Sequence, residues 1–127
     1  MDIIARVALA AGLAAFMATA AASASQPDPV KVDPKHYKVV FENSDVRVLH
    51  IHYGPHETSV MHWHPDSVVT FVSDGHIKFL LPNGKTIDTT GKPGDARWTP
   101  AGAHKPTNVG DKPFDAVLVE LKGHGGK

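Results

Sequence analysis

From residue 36 onward the chain is cut into short β-branched and aromatic runs, each closed by a turn signal, with no helical periodicity after residue 25. Residues 36–41 stop at Glu42-Asn43-Ser44-Asp45, and residues 46–53 stop at Gly54-Pro55. Residues 67–72 end at Ser73-Asp74-Gly75, and the runs 76–81 and 85–90 flank Pro82-Asn83-Gly84. Asn-Gly between two such runs is the strongest short hairpin signal, because both residues tolerate positive φ. Residues 96–99 and 114–122 complete the set. Short strands at this spacing have only one another to pack against, so the sequence predicts an all-β sandwich or barrel.

Side chains alternate across a strand. In 46–53, Leu49, Ile51 and Tyr53 share one face, and Val46, Val48, His50 and His52 share the other. The Leu49 face is expected inward, which leaves His50 and His52 outside. The same rule lets His62 and His64, in His62-Trp63-His64, aim two imidazoles at one point while Trp63 packs away from them. A third imidazole is available from His104, in Pro100-Ala101-Gly102-Ala103-His104. Imidazole suits iron, zinc, copper and nickel. Nine histidines in 127 residues make a chance His-x-His pair common, so the weight falls on the surrounding residues.

Those residues resemble the cupin superfamily. Its first motif runs from a glycine through His-x-His to a glutamate and a closing glycine. The counterpart here is Gly54-Pro55-His56-Glu57 through His62-Trp63-His64 to Asp74-Gly75. The second motif is matched by Gly94-Asp95-Ala96-Arg97-Trp98-Thr99-Pro100-Ala101-Gly102-Ala103-His104, closing at Asn108. The likeness covers residues 54–108 and extends through the flanking strands over 36–122. It implies a double-stranded β-helix, or jelly-roll barrel, with a metal held by His62, His64 and His104. The implied metal is divalent iron, zinc, manganese, nickel or copper.

Two departures stand out. The motif's glutamate ligand falls at Val68 or Val69, and the step from Gly102 to His104 is one residue short. Valine donates no oxygen, so the resemblance implies a three-histidine site, more positive and more open to water or an anionic ligand. Val68 and Val69 lie on opposite strand faces, so one of them faces the cavity, Val68 keeping the commoner spacing from His64.

The first residues have a different character. Arg6 precedes an almost wholly apolar run over 7–22, and Ala22-Ser23-Ala24 is a small-residue cleavage pattern. That layout reads as a secretory signal peptide, the run being shorter than the roughly 20 residues a spanning helix needs. The expected organisation is a leader over 1–24, an extended proline-rich arm over 25–35, a cupin domain over 36–122 and a tail over 123–127, with a periplasmic or secreted location and no membrane anchor after cleavage. The chain has 13 basic and 13 acidic residues and no cysteine. Zero net charge and no Lys/Arg cluster exclude a nucleic-acid surface. The lack of cysteine excludes disulfides, a thiolate nucleophile and Cys-ligated zinc.

Other residues are assigned plainer roles. His36, His76 and His124 are expected at the surface. His56 after the Gly-Pro turn and Asp66 beyond Pro65 are the two substitutes for the missing ligand, though a solvated loop and an Asx turn are their ordinary uses. Arg97 and Lys105 lie near the turn before His104 and are expected as charged surface residues, with holding a substrate carboxylate as the alternative. Pro100 and Gly102 are expected to form the turn that presents His104. The functional expectation is an exported metal-binding cupin acting as a dioxygenase on a small anionic molecule. The alternatives are a non-enzymatic binding module for metal or small molecule and a metal-free isomerase or epimerase. The last needs a carboxylate to orient a histidine base, and none stands near His62 or His64 in sequence. A homodimer is compatible with an outward Trp63.

Overall fold

The structure, a computed structural model, describes residues 26–123. The segment over 1–24 that reads as a leader, and His124, lie outside that range. One short helix, α1 (Pro29–Val32), precedes nine strands: β1 (Tyr37–Glu42), β2 (Val46–Tyr53), β3 (His62–His64), β4 (Ser67–Phe71), β5 (Gly75–Leu80), β6 (Thr86–Gly91), β7 (Ala96–Thr99), β8 (Gly102–Asn108) and β9 (Phe114–Leu121). They form two antiparallel sheets, of order β1-β2-β9-β4-β7 and β3-β8-β5-β6. This is the jelly roll expected above.

The alternation in β2 places its faces as read. Leu49, Ile51 and Tyr53 are buried, opposite Leu118, Ala116 and Phe114 of β9. Phe71 and Ile77 join them, giving one apolar core between the sheets. Each such side chain contributes about 1.5–3 kcal/mol on burial. His50 and His52 sit outside, both on Asp115 Oδ1 at 2.9 Å.

Three expectations are corrected. The arm is not wholly extended, because Asp28 accepts a hydrogen bond from Val30 N and caps α1, with Pro29 in its first turn. Proline is tolerated there, since that N–H would be unpaired in any case. His36 is buried, not superficial: it donates Nδ1–H to Asp33 at 2.7 Å and stacks on Tyr53 at 4.2 Å. Gly102 is not part of the turn expected to present His104: it opens strand β8, which carries His104, and needs no left-handed backbone.

The two sheets do not join along their edges. On one side α1 packs against both β1 and β3. On the other, Arg97 of β7 donates from Nη2 to the Thr90 carbonyl of β6 at 2.6 Å.

Candidate metal centre

Strand register builds the site. In the β3–β8 pair, His62 stands directly opposite His104 and His64 opposite Gly102. Directly opposed residues have Cβ atoms about 5 Å apart, and His64 shares the face of His62. The three rings therefore meet, with centroids 4.8–5.1 Å apart. One nitrogen from each lies within 4.8 Å of the others.

The outer nitrogens fix the tautomers. His62 Nδ1 lies 2.8 Å from the Val60 carbonyl, which can only accept, so Nδ1 carries the proton and the Nε2 lone pair is free. His64 donates Nδ1–H to Glu120 Oε2 at 2.7 Å. The Nε2 atoms of His62 and His104 are buried with no hydrogen-bond partner. Buried polar atoms are rarely left so, and a metal ion is the partner that fits converging neutral imidazoles. Burial, reinforced by the neighbouring His64, pushes His62 down to about 4 and His104 down to about 2, so both rings keep their lone pairs.

Glu120 was not legible as a site residue, and it is the acidic group here. It is 2% exposed and accepts from Arg47 Nε at 2.6 Å on its other oxygen. Burial opposes its charge, but the bonds from His64 and Arg47 prevail and hold its carboxyl below the usual range. A carboxylate behind a ligating histidine fixes the ring and raises its basicity. The signal lay in parity: Glu120 follows Phe114, Ala116 and Leu118 on the inward face of β9, as Arg47 precedes Leu49 on that of β2.

The remaining residues sort clearly. Val69 lines the cavity, so the inward valine is not the one with the commoner spacing. His56 pairs with Asp111, Asp66 accepts from Ala101 N, and neither belongs to the histidine cluster. Lys105 occupies the opposite face of β8 from His104. Trp63 faces away from the cavity, beside Asp28 and Arg47. His64 and His104 open onto a cavity of about 300 Å³ walled by Ile51, Val69, Phe71, Ile77, Phe79 and Phe114 among others. Arg97 also lines it, with its guanidinium 5.0 Å above the Phe71 ring. Tyr37 packs on His62 at 4.7 Å and bonds Tyr53 through its hydroxyl at 2.6 Å.

The sequence matches the cupin domain family over residues 49–120. The chain is a cupin. Solved structures agree. A cupin domain from Bordetella pertussis is 26% identical, with TM-score 0.64, over 68% of this chain and 92% of that one. A conserved protein with a double-stranded β-helix domain from Klebsiella pneumoniae is 32% identical, with TM-score 0.56, over 71% of this cupin and 78% of its own chain. A sugar phosphate isomerase of the cupin superfamily from Silicibacter pomeroyi is 18% identical, with TM-score 0.52, over 76% and 66%, a likeness of fold alone. No curated protein matches this cupin in sequence.

The depressed histidines give this cupin a defined response to acid. Unfolded histidine titrates near 6.5, above the folded values of His62 and His104. Below that pH the unfolded chain binds protons the folded one refuses, so stability falls with pH. The loss begins near 6.5, runs to about 4 for His62 and continues to about 2 for His104. Each group contributes at most about 1.4 kcal/mol per pH unit. Urea midpoints of metal-free protein at pH 7.5, 6 and 5 are expected to decline in turn. A flat series would show that the two rings are not held neutral.

Proposed function

We propose that this chain is an exported cupin holding one divalent transition metal on His62, His64 and His104, and turning it on a small, mainly apolar molecule with an anionic donor. The observation that carries this is the pair of buried, unpartnered Nε2 atoms on His62 and His104, converging with a nitrogen of His64. When bound, a metal with three neutral ligands supplies Lewis acidity at open positions and, if it is iron, oxygen chemistry. The chain does the rest. Glu120 and the Val60 carbonyl hold the rings in register. The apolar walls exclude water, and Arg97 provides a cation for the ligand's charge. Export rests on the leader pattern at 1–24.

The test is metal analysis of untagged protein, followed by oxygen uptake by iron-loaded protein with β-diketones, thiols and phenolics. One metal per chain and uptake with one class are expected. Val69→Glu restores the motif's carboxylate, and zinc affinity by chelator competition is expected to rise about tenfold, roughly 1.4 kcal/mol. Azide binding should weaken in the same variant. Unchanged zinc affinity would place the metal elsewhere.

A second reading has its own observation. Glu120 is the carboxylate that sequence did not place near His64, and it orients that ring as a general base would require. The metal-free isomerase reading is supported by that pair. Turnover that survives exhaustive chelation would decide for it.

A further inference from the structure

Each residue of His62-Trp63-His64 is held from behind by the segment around α1. Asp28, the N-cap, accepts from Arg47 Nη1 at 2.9 Å and Nη2 at 2.8 Å. Arg47 Nε passes to Glu120, which holds His64 Nδ1. Trp63 donates its backbone N–H to the Pro27 carbonyl at 2.8 Å. Asp33, the C-cap, accepts from the Ser59 hydroxyl, and Ser59 Oγ lies 3.2 Å from His62 Nδ1. The two aspartates that bound one helical turn thus each end a chain of bonds to a different histidine.

We propose that α1 with Asp28 and Asp33 is the positioning element of the metal centre, so that docking of this segment and loading of the metal stabilise each other. The proposal rests on the three-histidine reading. Its physical basis is that both chains of bonds end on the protonated Nδ1 of a histidine, and so set ring orientation and basicity. Losing an outer partner of a ligating histidine typically weakens metal binding by about 10–100-fold. Coupling is reciprocal, so the metal must tighten the segment by the factor the segment lends the metal.

Asp28→Asn separates the roles of that residue. Asparagine caps a helix as well as aspartate, but it cannot return the charge of Arg47. With the full chain and zinc as probe, chelator competition is expected to show about tenfold weaker binding in Asp28→Asn and in Asp33→Asn. Hydrogen exchange at the amides of Lys31, Val32, Asp33 and Trp63 should slow on adding zinc to wild type, and slow less in Asp28→Asn. The exchange measurement on wild type needs no variant to fold. Wild-type zinc affinity in both variants, with segment exchange indifferent to zinc, would overturn the positioning role and leave the metal site standing. No zinc binding by wild type would overturn both.

Discussion

Replacing His62 with alanine should lower zinc affinity by roughly a hundredfold or more. Zinc sites with four protein ligands bind with about 10–16 kcal/mol, or about 3 kcal/mol per ligand, and 1.4 kcal/mol is a factor of ten. His104→Ala should do the same, since its Nε2 is the facing partner across the β3–β8 pair. The double variant should show no specific site. His50→Ala is the control, for that ring is half-exposed on the outer sheet face and bonded to Asp115. Competition against a chelator reads all four proteins. If His62→Ala binds zinc within threefold of wild type, the cluster is not a metal centre.

Glu120→Ala should be the most damaging single change to the fold. The carboxylate is 2% exposed and bonded on both oxygens, to Arg47 and to His64. Its removal takes the partner from Nε of a guanidinium that is 20% exposed and keeps only Asp28, and leaves the His64 Nδ1–H without its acceptor. Breaking one side of a buried ion pair costs about 3–5 kcal/mol. For a domain of this size that lowers the melting temperature by on the order of 20 °C. Glu120→Gln keeps the volume and an acceptor oxygen, and should lose less. Thermal melts of metal-free protein check both. A loss under about 1 kcal/mol for alanine would mean that solvent reaches Arg47 well enough to replace Glu120.

The strands were readable wherever alternation was strong. β2 and β7 fall on the residues that the pattern marks, because Leu49, Ile51 and Tyr53 announce a face and Ala96–Thr99 is bounded by clear turns. β8 carries Pro106, which lacks a ladder donor and argues against an interior strand. It survives because its carbonyl still accepts, from Ser59 N at 2.9 Å. The histidine cluster follows from spacing on β3 plus the second motif. The charge chain behind it joins residues 28, 47, 64 and 120, and only the packed sheets bring them together. Local pattern also misjudged His36, whose polar ring is paid for in the interior by Asp33 and the face of Tyr53.

The two sheets are tied unequally, by a packed segment on one side and by a single side chain on the other. Where α1 spans β1 and β3, any widening would drag on the bonds that orient His62 and His64. At the opposite edge the end strands β6 and β7 are unpaired with each other, and Arg97 latches to Thr90 across the gap. The cavity reaches this edge, lined there by Ile87 and Thr89 of β6 and by Arg97, Trp98 and Thr99 of β7. The guanidinium that ties the two sheets at this edge therefore also places a positive charge on the cavity wall, over the Phe71 ring.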